Sequence, residues 1–161
     1  MQLPARPAVL RAESDAGIAV TDGVITDRGP FHRIRAAHSE AEVVDLTGGL
    51  VLPGLVDTHV HFPQVRVIGA LGMPLLDWLD NCALPEESRI ADPSYAAGVA
   101  QEFVTALDRG GTTTALVFGS HFEPAMDILF TAAQDAGLNL TTGLVLSDRI
   151  LRPDLLCTPA Q

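Results

Sequence analysis

The sequence predicts an α/β fold in which a parallel sheet with crossover helices follows a small, mostly β unit. Three observations carry that expectation. Two segments of helical periodicity, 92–111 and 123–137, alternate with three runs rich in β-branched and aliphatic residues. The first fifty residues differ in texture, with short β-prone runs and glycine turns. Apolar residues make up 47% of the 161, enough to bury a core and too many for a disordered chain.

Within 1–50, "GIAVTDGVIT" holds Asp22-Gly23 between two β-prone runs, a two-residue hairpin signal. "AEVVDLTGG" reads as another short strand closed by glycines, so this part is expected to be a β-sandwich-like unit. From residue 51 the chain reads as the α/β part. "GLVLPGLVDTHVH" is a buried strand, and 62–91 is a long loop or lid carrying "LLDWLD" as a short helix. A helix follows, with Asp92 as N-cap, Pro93 in its first turn and Gly110-Gly111 as its stop. Its apolar residues Tyr95, Val99, Phe103, Ala106 and Leu107 recur at helical spacing. "TTTALVFGS" is the second strand. Pro124 and Gly137 bracket a second helix with Met126, Leu129, Phe130 and Ala133 on one face, and "LNLTTGLVLS" is the third strand.

The net charge of −10, from 20 acidic residues against 10 arginines and no lysine, excludes a basic face for nucleic acid or an anionic membrane. The absence of lysine also excludes Schiff-base chemistry by these residues. Cys82 and Cys157 match no metal or redox spacing and read as ordinary thiols of a reducing compartment. No stretch is apolar enough for a signal peptide or a membrane span, so a cytoplasmic protein is expected.

The chain has five histidines, and two of them, His59 and His61, end the first strand of the α/β part. Side chains alternate along a strand, which puts Asp57, His59 and His61 on one face. Two imidazoles there can share a metal ion, and the C-terminal end of a parallel strand is where barrel active sites are built. Zinc suits imidazole donors, although iron and other such metals fit equally. The plain alternative is two polar residues at a strand end.

"LPGLVDTHVH" resembles the first barrel strand of the amidohydrolase superfamily. "HVHFPQ", "PLLDWLDNCALPEE" and "GTTTALVFGSHF" are together similar to the guanine deaminases, over most of 17–155. The resemblance implies the first part, about three of eight strands, of a metal-dependent (β/α)₈ barrel, with 51–161 as its N-terminal portion. It implies one zinc ion with His59 and His61 as ligands, and Gln64 holding the guanine ring, with Phe62 and Pro63 beside it. The amide of Gln64 offers a donor and an acceptor to a purine edge. The implied reaction is hydrolytic deamination of guanine to xanthine and ammonia. Water activated by zinc near neutral pH attacks the carbon bearing the exocyclic amine, and a carboxylate shuttles the proton.

Asp57 is expected as a hydrogen-bonding carboxylate at the strand end, and His121 as part of the pocket wall. Trp78 is expected in helix packing or a subunit contact, with a lid over the purine as the sharper alternative. The family's remaining zinc ligands and its proton-shuttling glutamate follow later strands, so the chain reads as a truncated deaminase, inactive alone. A related zinc hydrolase of adenosine-type, cytosine or cyclic-amide substrates stays open. So does a non-catalytic module keeping half a metal site. The expected partner is a small purine, with homodimer pairing left open.

Overall fold

The computed structural model describes residues 12–157. The chain divides into two compact units, with the boundary between Leu52 and Pro53.

In the first unit, β1 (Ala16–Thr21) and β2 (Val24–Pro30) form an antiparallel hairpin. Asp22 and Gly23 between them both have positive φ, 51° and 77°. Two such residues give the mirror-image turn whose twist matches that of the strands. The chain then enters α1 (Phe31–Ala37), which buries Ile34. Gly17 of β1 lies flush under it, where a Cβ would come within 3.0 Å of the Ile34 Cβ.

Two expectations fail in this unit. The helix replaces part of what reads as all-β, and "AEVVDLTGG" forms no strand. A strand needs a ladder partner for its backbone groups. Val43 and Val44 have none among the described residues and stand 49% and 73% exposed. The described part of this unit is a hairpin plus a helix, not a sandwich.

The second unit is built on a three-stranded parallel sheet of order β3-β4-β5, comprising β3 (Leu55–His61), β4 (Thr112–Phe118) and β5 (Asn139–Thr141). The two crossovers are α4 (Pro93–Arg109) and α5 (Glu123–Asp135). Both pack on one face of the sheet. Val99, Phe103 and Leu107 of α4 and Met126 and Leu129 of α5 share a core with Ala115 and Val117 of β4. Ala96, Ala100, Ala125 and Ala133 let these elements approach closely. The opposite face carries Leu116 and Phe118, each about half exposed. Ala106 and Phe130, read as core-facing from the sequence, are exposed instead.

The helix boundaries follow their signals. Asp92 accepts from the Ser94 backbone N–H at 2.8 Å and caps α4, with Pro93 in the first turn. Its hydrogen bonds to Ser94 hold the Asp92 carboxyl below its ordinary 3.8. A carboxyl depressed by folding contributes stability that is whole above its unfolded value and is lost as pH falls through the folded value. Asp92→Ala is therefore expected to lower the melting temperature at neutral pH. The gap to the parent protein should close as the pH is taken below 3.8.

Three other readings are corrected. The strand ending in the histidines covers only Leu55–His61 and is not buried, since it lies on the sheet edge with Leu55 and Val56 57% and 65% exposed. The third strand covers only Asn139–Thr141, on the other edge; beyond it the Val145 N–H still donates to the Ser120 carbonyl at 2.9 Å. The segment 62–91 is mostly helical rather than a loop. It opens with a 3₁₀ turn (Phe62–Val67), then runs through α2 (Leu75–Trp78), a π-turn (Leu79–Ala83) and α3 (Leu84–Arg89). Pro85 explains the π-turn, since a proline cannot donate to the ladder and its ring crowds the preceding turn.

Candidate active site

The sheet brings the ends of β3 and β4 together, with His61 paired to Phe118. The His61 ring stacks on Phe118 at 4.5 Å and 7°, and the His59 ring leans on the same phenyl at 5.1 Å. The two imidazole centroids are 5.3 Å apart. Phe118 is thus the platform that sets both rings, on the sheet face away from α4 and α5. Burial, and secondly the neighbouring His59, keep His61 below its ordinary 6.5, against an opposing pull from Glu87. His61 is therefore neutral at pH 7, the form that can donate a lone pair to a metal.

These residues fit a divalent ion. A Zn–N bond is about 2.0–2.1 Å, so rings at this separation can share one ion. Neither ring is hydrogen-bonded among the described residues. No group of three or more histidine, cysteine or carboxylate side chains with ligand geometry occurs among them either.

Asp57 departs from the expected alternation. Between Asp57 and Val60, β3 uses three steps where β4, from Ala115 to Val117, uses two. This bulge sets Asp57 opposite the buried Ala115, on the side of the helices. Its cause is local, since the Asp57 carboxylate accepts the His59 backbone N–H at 3.0 Å. Asp57 thereby shapes the backbone that presents His59, as a strand-end carboxylate does.

Phe62 and Pro63 follow His61 directly and are buried; Phe62 sits in the core, edge-on to Phe103 at 5.8 Å. Gln64, in the same 3₁₀ turn, points elsewhere. Its Nε2 donates to Glu87 Oε1 of α3 at 2.8 Å. The other carboxylate oxygen of Glu87 lies 3.5 Å from His121 Nε2. His121, three residues beyond β4, is nearly buried, and its Nδ1 has no partner among the described residues. Trp78 lies apart from this group, lining a shallow concavity with Ile68, Leu71 and Met73.

Glu86, next to Glu87, has a structural task. It is buried, accepts from the Tyr95 hydroxyl and pairs with Arg89 at 3.1 Å. Arg66 and Arg89 flank the Tyr95 ring at 4.5 and 4.0 Å, and Arg66 also pairs with Glu102 at 2.6 Å. This cluster holds α3 and the 3₁₀ turn against α4, which keeps Gln64 and Glu87 within reach of each other.

Sequence reasoning missed Phe118 and Glu87. Phe118 was detectable, because its place two residues past Leu116 puts it on one strand face with that residue. Glu87 was not, because "PEE" carries no sign of which carboxylate turns toward Gln64.

The sequence pattern described as Amidohydrolase family matches residues 50–153. A probable guanine deaminase of Deinococcus radiodurans is 54% identical over 158 residues, covering 95% of this chain and 36% of that protein. A guanine deaminase of Escherichia coli is 43% identical over 74% of this chain and 27% of its own length. The crystal structure of guanine deaminase from Bradyrhizobium japonicum superposes with a TM-score of 0.85 at 37% identity, covering 90% of this chain and 31% of that one. The chain thus spans about a third of the relatives it matches. On this match over more than half its length, the chain belongs to the amidohydrolase family.

Proposed function

We propose that this chain supplies the first metal-binding strand and the purine-reading turn of a zinc-dependent guanine deaminase, converting guanine and water to xanthine and ammonia. The reading rests on His59 and His61 ending a parallel strand, with Gln64 in the turn that follows, in a chain 54% identical to a probable guanine deaminase. The reading includes a (β/α)₈ barrel in which the face bearing Leu116 and Phe118 points inward. The hairpin unit and the sheet unit, divided near residue 50, remain separate domains in it.

His59 and His61 hold the ion through neutral imidazoles steadied by Phe118. Zinc so bound supplies Lewis acidity and makes water available as a nucleophile near neutral pH. Gln64 binds the purine edge through its amide. The proton shuttle and remaining ligands come from outside residues 1–161. Two cysteines without a disulfide support a cytoplasmic setting. Among the described residues, no helix is long and apolar enough to cross a membrane. Exposed Leu75 and Leu76 beside Trp78 offer apolar surface for a homodimer contact.

The test is a chimera in which this chain replaces the matching 36% of the Deinococcus protein. It is assayed on guanine, adenine, cytosine and 5-methylthioadenosine, the last because a 5-methylthioadenosine/S-adenosylhomocysteine deaminase is 34% identical over 80% of this chain. Guanine is expected to be the preferred substrate. Gln64→Ala is expected to lower guanine turnover by at least ~10-fold, as loss of a substrate hydrogen bond does. Preference for another substrate rejects the guanine reading, and an unchanged rate in Gln64→Ala removes Gln64 from the site.

A further inference from the structure

We propose that Glu87 is a positioning residue that sets which atom of the Gln64 amide faces the substrate. The inference rests on the reading above, because it concerns what Gln64 presents to a purine. An ionised carboxylate only accepts hydrogen bonds, whereas an amide has one accepting and one donating end. The Gln64 amide meets Glu87 at 2.8 Å, so nitrogen must face the carboxylate; the flipped amide would set oxygen against oxygen. Glu87 thereby leaves the Gln64 carbonyl and one remaining N–H for a ligand. A purine edge bound there must offer a donor to the carbonyl beside an acceptor for the N–H.

Glu87 is itself held. Its side chain is 14% exposed, and its second oxygen lies 3.5 Å from the nearly buried His121. It comes from a helix anchored one residue earlier by Glu86, Arg89 and Tyr95. Gln64 and Glu87 are 23 residues apart and approach only because the 3₁₀ turn after β3 packs on α3. A solvated glutamine on a mobile turn would present either end. Fixing it beforehand removes part of the ordering cost of binding and penalises ligands of the opposite pattern.

The test uses the chimera with Glu87→Gln, Gln64→Ala and both together, reading kcat, KM and zinc per chain. Glu87→Gln keeps the size of the side chain, but its amide can pair with either end of Gln64 and so releases the orientation. The expected result is a KM for guanine raised about 10-fold, kcat changed less than about twofold and zinc content unchanged. In the Gln64→Ala background, Glu87→Gln should add nothing, because its effect passes through Gln64. Glu87→Asp, which keeps the acceptor on a shorter stem, should recover part of the KM and guards against a folding failure of the first variant. An unchanged KM, or an equal effect with and without Gln64, overturns the proposal. If the chimera prefers another substrate, the guanine reading fails by itself. The same KM split on that substrate would still support the role of Glu87, and its absence would overturn it. A chimera inert on every substrate overturns both.

Discussion

Replacing His59 or His61 by alanine in the chimera is expected to lower guanine turnover by at least ~100-fold and to strip the bound zinc. The magnitude follows from the order of effects around metal sites. Changing a residue that merely orients a ligand typically costs about 10–100-fold in metal affinity or activity, so losing the ligand itself costs no less. The two rings lie 5.3 Å apart on one phenylalanine and act as a unit. The double variant is therefore expected to be hardly worse than either single one. Turnover and zinc content are measured on the same preparations. Full zinc and an undiminished rate in either single variant would remove that histidine from the ligand set.

Phe62→Ala is expected to destabilise the protein by about 3–5 kcal/mol, the range for truncating a fully buried aromatic residue. Its side chain is 0% exposed and packs edge-on against Phe103. No other ring among the described residues packs on Phe103, so the truncation removes that aromatic contact entirely. The effect is read as a shift of the urea midpoint at unchanged slope. Because Phe62 directly follows His61, the same cavity loosens the backbone that carries the second histidine, and zinc affinity should fall with stability. Unchanged stability with a raised KM for guanine would instead place Phe62 in the substrate wall, as the sequence led one to expect.

Much of the fold was legible because its signals are local. Asp92, Pro93 and Gly110 bracket α4 as capping chemistry requires, and Asp22-Gly23 makes the expected turn. Alternation of helices and β-branched runs announced the parallel sheet. Readings failed where a lacking ladder partner, or a contact that periodicity does not show, decided the outcome. Val43 and Val44 have the composition of a strand and no neighbour to pair with among the described residues. Asp57 follows the alternation of an ideal strand until its own side chain captures the His59 N–H and inserts a bulge. The helical run through 75–89 extends well past "LLDWLD", continuing through a π-turn into Leu84–Arg89 despite Pro85.

The candidate metal pair at the strand end, and the glutamine in the turn beyond it, are legible in the chain alone. Spacing of two and three residues along one segment is a property of the chain and survives any packing. What those residues meet depends on packing between distant segments. Phe118 comes beneath both imidazoles through the pairing of β3 with β4, and Glu87 reaches Gln64 across 23 residues through the docking of α3. Each is a contact between segments with no common local signal. Burial of the shared core, not any motif, brings them to one end of the sheet.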